Sequence, residues 1–289
     1  MKIYKDGWLE TGEGHSIYYM LLGNPNGTPV LSFHAGPGDC SWAGFYDFLD
    51  EKKYNIITFD QRGCGKSEPF GKIEDNTIDK ILADAKALLD FIGIQDKCIL
   101  FGGSWGSTLA LAFGAKFPHI TKSLVLSNVL LGRHHDLKKL MSDLKKFKPL
   151  SDYDVDENNI FLKIKQAICK NDIEFLSKYN DYEIYKYTFH RSDGLKTNLI
   201  EKDFLQKRLY CNFLCNNLFL SNKGVVNELQ KLSDKPIFLV HNKYDPICNV
   251  EQAHLLKKHL PQTELVVLNK RGHGGDFQID TIKKFFKKA

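Results

Sequence analysis

The fold of this 289-residue chain is decided by the stretch Lys97-Cys98-Ile99-Leu100-Phe101-Gly102-Gly103-Ser104-Trp105-Gly106-Ser107-Thr108-Leu109-Ala110. A hydrophobic strand leads into a turn with the pattern Gly102-x-Ser104-x-Gly106, and a helix follows. This arrangement is typical of a nucleophile elbow, where a strained turn lifts a serine hydroxyl above the edge of a sheet. The glycines are needed because side chains there would collide with the neighbouring strand and helix. The pattern predicts Ser104 as a nucleophile; the alternative is an idle serine in a glycine-rich turn.

On both sides of this stretch, short apolar runs bounded by turn residues alternate with helical patterns. Strands are predicted over 16–22, 29–34, 55–60, 97–101, 123–128, 236–241 and 264–268. Helices are predicted from the N-cap residue Thr77 to the C-terminal Gly93, and over 105–117, 250–259 and 280–288. Strands that alternate with helices indicate an α/β fold, with a mostly parallel central sheet flanked by helices.

The middle of the chain has a different composition. Residues 132–224 are rich in Lys, Asn, Asp and Tyr, with helical spacing and no convincing buried strand. We therefore expect a catalytic core of 1–131 and 225–289, interrupted by a helical cap domain at 132–224 that selects substrates. This segment holds 17 Lys and Arg against 13 Asp and Glu, so it carries four units of the net charge of +5. Solvated helix faces are the plain interpretation of that surplus.

Composition excludes several classes of protein. The chain is 43% hydrophobic and 26% charged, as in ordinary globular proteins. No apolar run approaches the ~18 residues that suggest a membrane span, and the N-terminus lacks the apolar region of a secretory signal. The seven cysteines form no Cys-x-x-Cys pair, which favours reduced thiols in a cytoplasmic protein. The mild basic charge is too weak to indicate nucleic-acid binding.

An elbow serine needs a base and an acid, in the chain order Ser…Asp…His. Asp245 and His273 each follow a predicted strand, and ligand sites of open α/β sheets lie at such strand ends. His273 would take the serine proton, and Asp245 would orient the imidazole. The competing acid is Asp276, and the competing histidines are His34, His241, His254 and His259.

An oxyanion hole needs two backbone N–H groups. One is predicted at Trp105, directly after the nucleophile, and the other at Ala35 or Gly36 in the loop after the strand over 29–34. The run 60–67, Asp-Gln-Arg-Gly-Cys-Gly-Lys-Ser, lacks the spacer of a phosphate-binding loop. We interpret it as a structural turn with a buried Asp and Arg.

Together these motifs resemble the α/β-hydrolase superfamily and, within it, the proline iminopeptidases. The family pattern His-Gly-Gly-Pro-Gly is similar to 34–38, with Ala35 for one glycine, and Asp-Gln-Arg-Gly-x-Gly-x-Ser matches 60–67. Gly-Gly-Ser-Trp-Gly-Ser-Thr-Leu-Ala-Leu matches 102–111, and Gly-Arg-Tyr-Asp corresponds to 242–245. The resemblance covers about two-thirds of the chain and implies a helical cap and release of N-terminal proline from peptides.

The cap departs from the family pattern. The resemblance implies two glutamates that bind the α-amino group of the substrate, and their positions here align with Lys186 and Tyr210, with Glu183 three residues before Lys186. Lys186 in the pocket would repel an amine and favour an anion, although it could instead point to solvent. The resemblance thus implies substrate contacts at Lys186, Tyr210 and, beside them, at Tyr182, Tyr185 and the pocket cysteine Cys248.

The sequence therefore predicts a serine hydrolase with an acyl-enzyme intermediate and no metal or cofactor. Its substrate would be a small molecule or a short peptide, with no nucleic acid or membrane as partner, and the oligomeric state stays open. The alternative to N-terminal proline release is an esterase, amidase or lactonase acting on a small anionic or neutral acyl compound. A remote alternative is a ligand receptor that has lost turnover.

Overall fold

The computed structural model describes residues 1–142, 144–187 and 200–289. One eight-stranded sheet forms its centre. The strands are β1 (Ile3–Gly12), β2 (His15–Gly23), β3 (Thr28–Phe33), β4 (Tyr54–Phe59), β5 (Cys98–Gly103), β6 (Thr121–Ser127), β7 (Ile237–Tyr244) and β8 (Glu264–Arg271). Their spatial order is β1-β2-β4-β3-β5-β6-β7-β8.

The sheet is parallel from β4 to β8 and antiparallel at its first two strands. The predicted α/β fold is thus confirmed, and all seven predicted strands exist. The strand missing from the prediction is β1, which lies at the sheet edge and alternates between exposed and half-exposed residues. Because β1 buries no continuous apolar face, its sequence Ile-Tyr-Lys-Asp-Gly-Trp-Leu-Glu-Thr-Gly carries little strand signal.

Eight α-helices accompany the strands in the described residues: α1 (Ile78–Phe91), α2 (Trp105–Lys116), α3 (His134–Leu140), α4 (Ile160–Lys170), α5 (Ile173–Tyr187), α6 (Glu201–Cys215), α7 (Glu251–His259) and α8 (Ile279–Lys288). The ends of α1 follow from its sequence. The Thr77 hydroxyl accepts a hydrogen bond from the Lys80 N–H, and Gly93 takes the positive φ of +75° that a residue beyond a helix end often needs.

Helices α3 to α6 lie between β6 and β7 in the chain and pack on the same apolar core as the sheet. One contact between these helices and the helices beside the sheet is aromatic: Phe213 of α6 packs edge-on against Trp105 of α2, with ring centroids 5.3 Å apart. Within the described ranges, no helix combines the length and the apolar character that a membrane span requires. All seven cysteines lie in these ranges and are free thiols.

Candidate active site

Ser104 lies at the turn between β5 and α2, in a backbone conformation that serine rarely adopts. Its φ is +53° and its ψ is −126°, outside the regions open to most side chains. Two bonds hold the turn: the Ser104 N–H donates to the Ser127 carbonyl at 3.0 Å, and the Ser107 N–H donates to the Ser104 carbonyl at 2.9 Å. The predicted elbow geometry is therefore present, with the serine at the start of a helix.

The two glycines of the elbow are required by close backbone contacts. A Cβ atom at Gly102 would lie 2.2 Å from the carbonyl oxygen of Gly106. A Cβ atom at Gly106 would lie 2.2 Å from the carbonyl oxygen of Phe33 in β3. Because backbone atoms cannot move aside cheaply, any larger residue would push α2 away from the sheet.

The structure brings His273 and Asp245 into direct contact. Nδ1 of His273 lies 2.8 Å from Oδ2 of Asp245, and the carboxylate is buried. Its other oxygen, Oδ1, accepts the N–H groups of Ile247 at 2.8 Å and Cys248 at 2.9 Å. The amide of Asn128 also donates to Oδ2. The carboxylate is thus fixed by four donors, and it holds the proton on Nδ1 so that Nε2 of His273 can act as a base.

The competing residues lie elsewhere. His241 is fully buried, its Nδ1 accepts the Val129 N–H at 3.2 Å, and its Nε2 lies 2.8 Å from the Cys248 carbonyl. Burial lowers the pKa of His241, so its imidazole is neutral and structural. The rival acid Asp276 is exposed at the start of a short turn beyond His273. His254 and His259 are exposed on α7.

The loop after β3 is joined to α2 through one glutamine. Gln61 donates from Nε2 to the His34 carbonyl at 3.1 Å, and its Oε1 accepts the indole N–H of Trp105 at 2.9 Å. The Gln61 N–H also donates to Nε2 of His34 at 3.0 Å, and Nδ1 of His34 lies 2.7 Å from the Ala35 carbonyl. Burial lowers the pKa of His34, which leaves the neutral ring to hold this loop.

The bonds of Gln61 hold the loop after β3 next to the start of α2, and these two segments carry the two predicted oxyanion donors. Trp105 is the first residue of α2, and the first N–H groups of a helix have no partner inside it. Ala35 lines the same cleft as Ser104, and Gly36 does not. The φ of Gly36 is +132°, an angle that favours glycine, so its role in the loop is conformational. Ala35 is therefore the better placed of the two alternatives in the loop.

The run 60–67 is a structural turn, as interpreted. Asp60 is buried and accepts the N–H groups of Ser41 at 2.7 Å and Lys66 at 2.8 Å. Arg62 is buried too, and its guanidinium forms two bonds to Asp84, at 2.6 and 2.8 Å. The turn carries Gln61, so this network supports the loop that faces the serine.

A cleft of about 470 Å³ opens at Ser104 and His273. Its walls are mostly apolar. The acidic residue among those that line it is Asp39, in the loop after β3. The wall has six Phe, Tyr and Trp residues: Phe33, Trp42, Phe45, Tyr46, Phe101 and Tyr187. Three of them are at least half exposed, with Trp42 the most exposed at 68%, so the cleft presents an aromatic rim to incoming molecules.

Lys186 lies outside this cleft. It is 94% buried, and its ammonium group donates to the carbonyls of Lys139, at 3.2 Å, and Leu140 at the end of α3. It lines a separate cavity of about 230 Å³ on the far side of Asp245. A cation that neutralises the C-terminal end of a helix is a common stabilising arrangement. Lys186 thus points neither to solvent nor toward Ser104, and its contacts explain its burial without a substrate.

The tyrosines near Lys186 are packing residues in the same helical layer. The Tyr182 hydroxyl donates to the Leu140 carbonyl at 3.0 Å, and its ring packs against Phe147 at a centroid distance of 5.8 Å. Tyr185 also packs against Phe147, at a centroid distance of 5.2 Å. Neither tyrosine is among the residues that line the cleft at Ser104.

Cys248 contacts Ser104, and Tyr210 lies near enough to Cys248 for their charges to interact. Burial raises the pKa of the Cys248 thiol well above its usual range, and contact with the Ser104 hydroxyl opposes this. Burial also raises the pKa of Tyr210 well above its usual range, and the carboxylate of Glu183 adds to the effect. Glu183 forms an ion pair with Lys207, whose ammonium lies 4.7 Å from the centre of the Tyr210 ring. A carboxylate, that of Glu183 on α5, therefore lies beside Tyr210 on α6.

A metal ion has one candidate place in the described part of the chain. Ligand atoms of Asp245, Cys248 and His273 lie within 4.8 Å of one another. The bond between His273 and Asp245 and the buried thiol explain this grouping without an ion.

Sequence reasoning missed the amides around His273 and the aromatic rim. Asn128 directly follows β6, Asn242 lies in β7, and both are buried. The signal that could have found them is their position, because polar residues at the carboxyl ends of neighbouring parallel strands meet at one edge of the sheet.

Comparison with known proteins decides the family. The model of the "alpha/beta hydrolase fold" family matches residues 28–275. The chain belongs to the α/β-hydrolase family. Among its relatives is a Mycoplasma pneumoniae protein provisionally named proline iminopeptidase, 31% identical over 98% of this chain and 97% of that protein. A proline iminopeptidase of Neisseria gonorrhoeae is 29% identical over 93% of this chain and 90% of its own length.

Solved structures of other family members share the fold at low identity. A thermophilic esterase from Thermogutta terrifontis is 17% identical and superposes with a TM-score of 0.68 over 98% of both chains. An enol-lactonase from Burkholderia xenovorans LB400 is 14% identical, with a TM-score of 0.66 over 98% of both chains. Such identities support the architecture of this hydrolase and leave its substrate to the chemistry of its own cleft.

Proposed function

We propose that this hydrolase is a serine enzyme that removes N-terminal proline from short peptides, with Ser104, His273 and Asp245 as its catalytic residues. The observation that carries the proposal is the His273–Asp245 bond of 2.8 Å in the same site as the elbow serine. Relatives named proline iminopeptidase, matched over almost the whole chain, support the substrate class.

The reaction follows from the roles of these groups. Oγ of Ser104 attacks the carbonyl carbon of the scissile bond, while its proton passes to Nε2 of His273. Asp245 stabilises the imidazolium through Nδ1, and the N–H groups of Trp105 and Ala35 donate hydrogen bonds that stabilise the negative charge on the carbonyl oxygen. His273 then protonates the leaving amine, which departs. Water hydrolyses the acyl-Ser104 ester by the same route in reverse, releasing the acid and restoring the serine.

The helical segment 132–224 acts as a cap that restricts entry to chain ends. Its carboxylate Glu183 is our candidate for the anchor of the free amine, in place of the predicted repulsion by Lys186. Glu183 lies against Tyr210, whose phenol interacts with the carboxylate, and its oxygen Oε1 is buried. Since Lys207 bonds the other oxygen, Oε2, an incoming ammonium group would share the carboxylate through Oε1.

A second candidate function is hydrolysis of small neutral esters. The aromatic rim at Trp42, Phe45 and Tyr187 favours it, because apolar rings bind apolar acyl groups whether or not these carry an amine.

The experiment is a comparison of three substrates: proline β-naphthylamide, its N-blocked derivative and p-nitrophenyl acetate. We expect the free-amine substrate to have the highest kcat/KM. The Glu183→Gln variant should raise its KM about tenfold, as expected for loss of one charged hydrogen bond, and leave the KM of the ester unchanged. Equal kcat/KM for free and blocked proline substrates would overturn the peptidase proposal and favour the esterase.

A further inference from the structure

His273 is carried by a segment with little stiffness of its own. Three glycines surround it, and their φ angles are +110° at Gly272, +81° at Gly274 and +128° at Gly275. Glycine reaches these angles without strain, but it also leaves the backbone free to adopt many others. The position of the imidazole must therefore be fixed by contacts from outside the segment.

Asn242 supplies such contacts from β7. Its Nδ2 donates to the carbonyls of Gly272 at 2.8 Å and Gly274 at 2.9 Å, one on each side of His273. The side chain is fully buried. In the Gly-Arg-Tyr-Asp pattern that this segment resembles, position 242 is a glycine, which has no side chain to make these bonds.

The chain of amides continues from Asn242 to Asp245. Gln278 donates from Nε2 to Oδ1 of Asn242 at 2.8 Å and also to Oδ1 of Asn128. Both hydrogens of Nε2 are therefore used, which fixes the orientation of all three amides. Asn128 donates from Nδ2 to Oδ2 of Asp245, the same oxygen that contacts Nδ1 of His273.

These bonds form a closed ring. It begins at the backbone on either side of His273 and ends at the His273 imidazole; the residues along it are Asn242, Gln278, Asn128 and Asp245. We infer that the three amides, hereafter the amide ring, position His273 by tying its flexible backbone to the carboxylate that orients its side chain. The inference rests on the proposed function of His273 as the base. Asn242 is the positioning residue on which the ring depends, because its side chain bonds carbonyls on both sides of His273. Gln278 meets the glycine-rich segment through its backbone N–H, which donates to the Gly275 carbonyl at 3.0 Å.

The consequence is kinetic. Replacing Asn242 by alanine frees the carbonyls of Gly272 and Gly274 without changing the side chain of any residue that touches substrate. Misplacement of a catalytic group by about 1 Å can cost on the order of 100-fold in rate, because the reacting atoms must meet in a narrow geometry. The apolar walls of the cleft do not change, so substrate affinity should stay the same.

The test compares Asn242→Ala with Asn55→Ala. Asn55 is also a buried asparagine, but it lies at the opposite end of the sheet, where it bonds the Tyr4 hydroxyl at 2.7 Å. For both variants we would measure the rate of Ser104 labelling by a fluorophosphonate, kcat and KM for p-nitrophenyl acetate, and the downfield proton NMR signal of the His273–Asp245 bond.

We expect Asn242→Ala to lower the labelling rate and kcat roughly 10- to 100-fold with an unchanged KM, and to broaden the proton signal. The Asn55→Ala control should keep all of these at wild-type values. If Asn242→Ala does not fold, Asn242→Leu replaces it, since that side chain has a similar volume and cannot donate to the two carbonyls.

Labelling and kcat that remain at wild-type values in a folded Asn242 variant would overturn the amide ring and leave the proposed function intact. An equal loss in Asn55→Ala would also overturn it, since the effect would then be general destabilisation. A wild-type protein that is folded but not labelled at all would instead overturn the proposed function.

Discussion

Replacing Arg62 by methionine should destabilise the folded chain by about 3 to 4 kcal/mol at pH 7, and the loss should shrink as the pH falls. Arg62 lies in the turn that carries Gln61, the residue that joins the loop after β3 to Trp105. Its guanidinium and the carboxylate of Asp84 are 2% and 3% exposed, and Nε of Arg62 lies 2.6 Å from Oδ2 of Asp84.

The size of this loss in folding free energy follows from the protonation state that Asp84 must adopt without Arg62. Burial raises the pKa of this carboxyl above its ordinary value of 3.8, and the two bonds from Arg62 oppose that effect. Without Arg62 the largest effect, burial, is no longer opposed by a bonded cation, so Asp84 must fold in its protonated form. Protonating a group with an unfolded pKa near 3.8 at pH 7 costs at most about 4 kcal/mol, at 1.4 kcal/mol per pH unit. Breaking a buried ion pair typically costs 3–5 kcal/mol, which agrees.

The pH dependence has a definite direction. In the Arg62→Met variant, folded Asp84 holds its proton at pH values where the unfolded chain has lost it. Stability therefore falls as the pH rises from the unfolded pKa toward the raised folded pKa. Between pH 7 and pH 5 the loss relative to wild type should shrink by about 2 kcal/mol or more. Glu13, which also bonds Arg62, has its pKa lowered to about 2 by Lys80 and Arg62 in the wild type, below this window.

Urea unfolding at pH 5, 6 and 7 measures these differences. The control is the double variant Arg62→Met with Asp84→Leu, which has no buried carboxyl at position 84. Its loss of stability relative to wild type should be smaller at pH 7 and almost independent of pH. A single variant whose loss is below about 1 kcal/mol, or is the same at all three pH values, would refute the claim that Asp84 is neutralised by Arg62 alone.

Two further predictions concern the elbow and the thiols. Gly106→Ala should lower the melting temperature and abolish activity, because its Cβ would lie 2.2 Å from the Phe33 carbonyl. A variant with wild-type thermal unfolding and activity would contradict the close packing of α2 on β3. Iodoacetamide at pH 7 should modify the exposed Cys40 and Cys169 first and Cys248 much more slowly, because Cys248 is buried and the pKa of its thiol is raised. Peptide mass mapping measures these rates, and a Cys248 that is modified as fast as Cys169 would contradict its burial.

Much of the fold was predictable because its signals are local. Each central strand is a short apolar run bounded by turn residues, and the ends of α1 are marked by Thr77 and Gly93. The edge strand β1 lacked such a signal, since only contact with β2 makes it a strand. A segment that is exposed on both sides has no apolar pattern to read.

The positions of the three proposed catalytic residues in the fold were predictable, whereas their surroundings were not. Ser104, Asp245 and His273 each stand at the end of a strand in a recognisable motif, and the topology brings those ends together. Lys186 was placed in the substrate pocket by alignment to a weak motif. On a helix, a shift of a few residues turns a side chain to another face, and Lys186 in fact faces the end of α3.

The amide ring could not be read from the sequence, because its members are far apart along the chain. Asn128 and Gln278 are separated by 150 positions and meet only in the folded sheet. Asparagine and glutamine are also common at turns and surfaces, so their residue types alone give no hint of a shared role.

The central claim is that Ser104 is the nucleophile of a serine hydrolase. The most direct measurement is mass spectrometry of the folded chain after treatment with a fluorophosphonate, followed by peptide mapping. We predict one adduct, on the peptide that contains Ser104, and no adduct in the Ser104→Ala variant. A folded wild-type chain that gains no adduct, or gains it on another residue, would contradict the account.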